Sequence, residues 1–339
     1  MQFQEFQARR HFGSLDGLRC LSILAVIWHH TGGRAFPDSV LLQHGPYGVS
    51  LFFVISGFLI TTLLLREKRR TADIGMKNFI IRRTLRIFPL YYTVLLVYTL
   101  LVLALEHASP EGQGFLSNLK YYATYTSNWF VPLADGRVIF YFAWSLATEE
   151  QFYLIWPWVE KFLRSALAVP LMVVVAGASI YWDVLAFAAV GMGVLLAHLL
   201  DSPRGYALAW PFLRWRWAAP VLMVALVGVM AWPSAGDVAP LVVMALLVGA
   251  AVIREDHWLR PLLARPVVMK IGQVSYGMYL MHMLAYNVVR KALLALGGEG
   301  IEHWALVFGL TVAVAFGAAF LSYRYYESIF LRMKHRYAT

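Results

Sequence analysis

An imidazole on the same helical face as a guanidinium, inside an apolar segment, is a set of groups that can move a proton where water is scarce. The stretch from Leu15 to His30 carries Asp16, Arg19, His29 and His30. Ionisable side chains within a spanning helix are costly, so they mark function unless they reach an interface. At about 100° per residue, His30 falls roughly 20° from the line of Arg19, while His29 is swung roughly 80° away from it. Arg19 and His30 are separated by ~16 Å of helix rise, about half a bilayer core. The competing reading has Arg19 snorkel to lipid phosphates and the histidine pair end the helix at the far interface.

Further polar groups recur in later apolar segments. In WSLATEEQFYLIWP, Trp144 to Pro157, the residues Glu149, Tyr153 and Trp156 share a face at i, i+4 and i+7. A carboxylate beside an imidazole fixes its tautomer and stabilises the imidazolium; Glu150 would then serve a basic residue elsewhere. Ser275, Tyr279 and His282 repeat the same spacing, with His282 at mid-membrane as either a structural hydrogen-bonding residue or a member of the site. Ser56-Gly57-Phe58, within GVSLFFVISGFLITTLLL, allows close approach of a neighbouring helix or of a ligand. KNFIIRRTLRIFP places Arg82 and Arg86 at i,i+4, and Arg83 and Arg86 at i,i+3. Guanidinium forks in this phasing suit either a phosphate-bearing substrate or lipid headgroups. None of this chemistry calls for a metal.

The elements that must carry these groups are membrane helices. The chain of 339 residues is 60% hydrophobic and 14% charged, with mean hydropathy +0.61. Soluble domains sit nearer 45–50% apolar and 25% charged. The net charge of +10 does not point to nucleic acid, because the basic residues stand between apolar segments. The expected fold is an all-α polytopic bundle of about ten transmembrane helices: 15–33, 48–65, 87–106, 142–159, 166–182, 184–200, 218–233, 239–253, 272–296 and 304–326. With both termini cytoplasmic, the outer segments hold only Arg34, Lys120, Arg137, Arg290 and Lys291 of the Lys and Arg, as the positive-inside rule requires. Residues 1–14 then form a cytoplasmic segment and 327–339 a basic tail, around a single domain with no fused soluble domain. The aromatic segment from Glu106 to Tyr141 reads as a lip over an outward-facing site or as an ordinary interfacial belt. Arg9 and Arg10 precede the first apolar run as in a signal peptide. A small-residue cleavage site is absent and the run is charged, so it is expected to be retained. Cys20 alone can form no intramolecular disulfide.

Together these segments resemble the acyltransferase-3 family, polytopic membrane enzymes that acylate sugars and other hydroxyl acceptors. The resemblance runs from Leu15 to about Arg332. It is carried, in family order, by LDGLRCLSILAVIWHH, FFVISGFLI, RRTLRIFPLYY, WSLATEEQFYLIWP, SYGMYLMH and YRYYESIFLR. It implies a bacterial inner-membrane O-acyltransferase that takes an acyl group, acetyl above all, from cytoplasmic acyl-CoA. The implied acceptor is a hydroxyl of a glycan or lipid-linked saccharide. The family spacing of Arg19, ten residues and His30 selects His30 as the essential histidine, and Glu149 rather than Glu150 as the acidic position. On this reading His30 is a general base or an acyl carrier. Ser56, Tyr279 or His282 would support the developing oxyanion, and Arg19, Arg82, Arg83 and Arg86 would hold the CoA. A departure from the family is Ser328-Ile329 after Glu327, where proline is common. Many relatives carry a further soluble domain; without one, transfer is expected to finish in the membrane domain. The rival is a transporter or flippase of a glycolipid or anionic solute, which commonly shows internal repeats and broken mid-membrane helices.

Overall fold

A computed structural model describes residues 2–9, 11–32, 36, 39–132, 137–296, 304–334 and 337. Arg10, Arg34 and Arg336 of the charge pattern lie outside the described residues. Among the described residues the regular structure is helical, with no strand. In chain order the helices are α1 Gln2–Ala8, α2 Gly13–Thr31, α3 Val40–Gln43, α4 Tyr47–Thr71, α5 Met76–Leu105, α6 Pro110–Ala123 and α7 Ser127–Phe130. Then come α8 Ala143–Phe162, α9 Ser165–Tyr181, α10 Leu185–Asp201, α11 Pro203–Leu213, α12 Ala218–Ala231 and α13 Val238–Ile253. The chain continues with α14 Arg260–Leu263, α15 Pro266–Gln273, α16 Ser275–Ala295, α17 Trp304–Ser322 and α18 Ser328–Lys334, the last two joined by a π-helical turn, Tyr323–Glu327.

Among the described residues the apolar segments expected to span are largely helical, but 272–296 is divided at Val274, which ends α15 and precedes α16. By length and composition, α4, α5 and the run Trp304–Met333 are able to cross a membrane, and a fourth span is reached if α10 and α11 are taken together. Helices α9, α12 and α13 are apolar but shorter. Helices α2, α8 and α16 have 19, 20 and 21 residues and carry the ionisable groups. The α10–α11 pair is bent by 106°; the expected span 184–200 ends at this bend, and the helical character of the connection after it, α11, was not foreseen. Ser202 ends α10 and its hydroxyl accepts from Gly205 N at 2.9 Å to start α11, with Pro203 in the first turn. A capped start with proline at the first helical position stops one helix and begins another. Ser109-Pro110 starts α6 in the same way.

The chain forms two compact units. The first comprises residues 1–72 and 163–323. Helices α4 and α10 cross closely: a Cβ added at Gly57 would overlap the Val190 carbonyl oxygen and one at Gly193 the Val54 carbonyl oxygen. Ser56-Gly57-Phe58 is therefore a helix-packing motif, of the kind in which small residues let backbones meet. A second close approach sets α2 against α14 and α15. A Cβ on Gly17 would lie 2.5 Å from the Leu263 Cβ, and one on Gly272 would overlap the Asp16 carbonyl oxygen. Helix α1 is tied down by Arg66, which donates to the carbonyls of Arg9 and Phe6 at 2.6 and 2.9 Å and lies over the Phe6 and Phe12 rings.

The second unit comprises residues 73–162 and 324–339. Pro89 interrupts α5, and its carbonyl accepts from Thr93 Oγ1 at 2.8 Å and from the Tyr326 hydroxyl at 3.3 Å. Part of the aromatic segment is a buried nucleus: Tyr91 stacks on Tyr125 at 4.2 Å, and Phe140 packs on Tyr98 and Tyr122. Tyr125 and Phe140 have φ of 52° and 63°, a strained setting for bulky side chains that this ring packing holds in place. Trp129 and Phe130 stay exposed.

Candidate active site

Helix α2 presents His30 in its last turn. That end is secured by Gly32 N donating to the Trp28 carbonyl at 2.8 Å and by the Trp28 indole donating to the Leu42 carbonyl at 2.9 Å. The His30 ring lies 5.1 Å from that of His282, centroid to centroid, and 5.0 Å from His29. His282, on α16, is fully buried, and its Nδ1 stands 2.5 Å from the Tyr279 carbonyl oxygen. A carbonyl only accepts, so the proton sits on Nδ1 and a neutral ring offers Nε2 as an acceptor. In that state His282 cannot donate to an oxyanion. It can take a hydrogen bond from a neighbouring imidazole and so fix that ring's tautomer.

The Tyr279 ring is 5.5 Å from His282 and 6.4 Å from Phe52 on α4. One turn beyond Phe52 stands Ser56, half-buried. The first unit thus brings His30, His282 and Tyr279 together. His29 is packed differently: a Cβ on Gly45 would lie 2.5 Å from its Cβ, so the connection before α4 presses on it. Among the described residues no group of three His, Cys, Asp or Glu is arranged to hold a metal ion.

At the other end of α2, Arg19 donates to Asp16 at 3.1 Å, and His11 Nε2 is 3.5 Å from the same carboxylate. Ser14, buried at the start of α2, meets two residues that sequence reasoning missed. Its hydroxyl donates to Glu255 Oε2 at 2.8 Å and lies 3.0 Å from His257 Nε2. Burial, reinforced by Arg260, pushes the His257 imidazole down to about 4, so it is neutral at ordinary pH. The run Arg254-Glu255-Asp256-His257 was the available signal: acids and a histidine inside an otherwise basic connection.

In the second unit, Tyr153 donates a short hydrogen bond to Glu149 on α8. Glu150 has a buried Oε1 with no hydrogen-bond partner among the described residues. The Arg83 guanidinium lies over the rings of Phe79 and Tyr153 at 5.6 and 5.4 Å, and Arg82 donates to the Tyr337 carbonyl at 2.7 Å. The phased arginines of α5 therefore do different work, with Arg86 half-buried one turn on. Trp156 stacks on Phe152. Arg19 and His30 belong to the first unit, and Glu149 and the α5 arginines to the second.

Comparison with known proteins gives the same direction from an independent side. The acyltransferase-3 family model, an acyltransferase domain, matches residues 12–323. The peptidoglycan O-acetyltransferase OatA of Listeria monocytogenes is 28% identical over 370 residues, covering 95% of this chain and 56% of the relative. The O-acetyltransferase OatA of Staphylococcus aureus is 34% identical over 170 residues, covering 48% of this chain and 27% of the relative. The chain thus spans little more than half the length of the curated relatives it matches. No solved structure matches it.

Proposed function

The chain belongs to the acyltransferase-3 family, and on that premise we propose that it transfers an acetyl group from acyl-CoA to a hydroxyl of a glycan or lipid-linked saccharide. The observation that carries the reading is the His30–His282 pair, with ring centroids 5.1 Å apart and the His282 proton held on Nδ1 by a carbonyl. With its proton on Nδ1, His282 can accept from one nitrogen of His30 in the reactive arrangement, which leaves the other as the base. The acceptor hydroxyl gives its proton to that nitrogen as its oxygen attacks the thioester carbonyl. The oxyanion is met by the Tyr279 hydroxyl or by Ser56. When the carbon–sulfur bond breaks, the thiolate takes the proton from the His30 imidazolium, giving ester and free CoA thiol. An acyl-His30 intermediate is the alternative chemistry. Glu149, held by Tyr153, is the acidic partner of the family pattern, and Arg19 and the α5 arginines attract the polyanionic donor.

The glycan acceptor is supported by the name of the Listeria relative, a peptidoglycan O-acetyltransferase. The setting proposed is a single ten-span domain in a bacterial inner membrane with both termini cytoplasmic, in line with the distribution of Lys and Arg. The rival is transport of a glycolipid or anionic solute; the 106° break between α10 and α11 falls at the end of the expected 184–200 span rather than within it, so it does not favour that reading. The deciding experiment supplies purified protein with acetyl-CoA and peptidoglycan fragments, and follows thiol release together with ester formation by mass spectrometry. Thiol release that depends on His30 is expected. Substrate movement across vesicles without thiol release would overturn the enzyme reading in favour of transport.

A further inference from the structure

The charged loop after α13 folds over the start of α2. Asp256 accepts from Arg254 at 2.8 and 3.1 Å and from Arg216 at 3.1 and 3.2 Å. These bonds, those of Arg254 foremost, hold its carboxyl below the usual carboxylate range. They also fix Arg216 on the wall of an open cleft of about 800 Å³, lined further by His257, Trp258, Arg260 and Arg265. Arg260 and Arg265 have no carboxylate partner among the described residues. Three guanidiniums against one carboxylate leave the cleft cationic, and arginine forks match phosphate oxygens.

His257 adds a second requirement. Its side chain is 2% exposed. The Ser14 hydroxyl spends its proton on Glu255, so the serine oxygen accepts from His257 Nε2–H. Nδ1 is then a bare acceptor, buried and without a hydrogen-bond partner among the described residues. A buried polar atom left in this way calls for a partner. Trp258, 66% exposed on the same cleft, offers an aromatic face. The complementary ligand carries phosphates, an N–H or O–H donor and a planar ring. Phosphate is common to nucleotides and lipid headgroups, but a diacyl lipid headgroup has no planar base.

We propose that this cleft binds the phosphorylated adenosine head of the acyl-CoA donor, with Arg260 and Arg265 on phosphate, Trp258 on the base and His257 Nδ1 accepting from the base or ribose. This rests on the reading that the donor is an acyl-CoA. Arg19 stands five residues beyond Ser14 along α2, ~8 Å of rise, on the way from the cleft to His30.

The test uses the full chain in phosphatidylcholine nanodiscs and titrates adenosine 3′,5′-bisphosphate and CoA calorimetrically. Arg260→Ala and Arg265→Ala should each weaken both ligands on the order of tenfold. They should raise KM for acetyl-CoA with kcat unchanged, and Arg260→Lys should recover part of the loss. His257→Phe, which keeps the ring but not the acceptor, should weaken the bisphosphate and leave inorganic phosphate unaffected. Unchanged nucleotide affinity in the folded Arg260→Ala/Arg265→Ala double variant, with acetyl-CoA still consumed, would overturn the cleft and leave the donor reading intact. Nucleotide binding lost in the double variant, with no thiol released by the wild type, would uphold the nucleotide site and refute the donor reading. Displacement of the bisphosphate by phosphatidylglycerol, abolished by Arg260→Ala, would make the cleft a lipid-headgroup site and overturn the proposal.

Discussion

Each end of α2 meets a buried histidine pinned through one ring nitrogen, and the surroundings of the two differ. Toward Thr31, His282 is held by a backbone carbonyl and packed among the rings of His30 and Tyr279. Toward Ser14, His257 is held by a hydroxyl and shares a cleft with arginines and Asp256. Rings that accept on one edge and donate on the other suit the passage of a proton, while guanidiniums around a neutral imidazole suit the retention of an anion. Sixteen residues, ~24 Å of helix rise, separate the two settings, and one rigid helix presents both.

The comparison breaks first, and hardest, at His30. His30→Ala should cost on the order of 10²–10⁴ in turnover while nucleotide binding at the far end persists. His29→Ala, altering a residue packed against Gly45, should cost far less. Measured at matched expression, an inactive His29→Ala beside an active His30→Ala would refute both the helical phasing and the family spacing. Next comes His282→Gln, expected to lower kcat on the order of 10–100-fold, the scale for partners that orient a liganding imidazole. KM for the donor should hold while the acid limb of the pH–kcat profile moves. An unaltered profile would reduce His282 to packing.

A smaller effect belongs to the join between α2 and α14. Gly17→Ala forces an overpacked contact, worth about 1–3 kcal/mol, and should lower the melting temperature in detergent by several degrees. An unchanged melt would mean that α2 and α14 separate freely. The smallest effect is an expected constancy. Because His257 is pushed down to about 4, it stays neutral between about pH 6.5 and 8. Affinity for adenosine 3′,5′-bisphosphate should then be level across that window. Nucleotide affinity that climbs steeply on acidification through 6.5 would show His257 charging in the cleft, and the contrast between the two ends would be lost.

The helices were legible because apolar runs of membrane length have few other outcomes, and the polar residues of α2, α8 and α16 stood out against them. Ser56-Gly57-Phe58 was readable as packing for the same reason. The His30–His282 contact was not, since residues far apart in sequence meet only when α16 docks on α2. The pairing of Ser14 with His257 was hidden likewise, its arginines counted only as topology signals. The end of α10 was legible in the apolar pattern, but α11 was not: its capped start at Ser202-Pro203 was passed over because Arg204, Arg214 and Arg216 marked the segment as a connection.

The meeting of Gly17 and Leu263, and of Gly272 with the Asp16 carbonyl, bears on how such a sequence can drift. Neither glycine can gain a side chain unless the opposite backbone retreats, so single substitutions at either position are closed and only concerted ones remain open. The glycine of the LDG stretch would then persist through descent alongside His30, one kept by lack of room and the other by chemistry. A ranking by invariance alone would place the two side by side and could not tell the scaffold from the reagent.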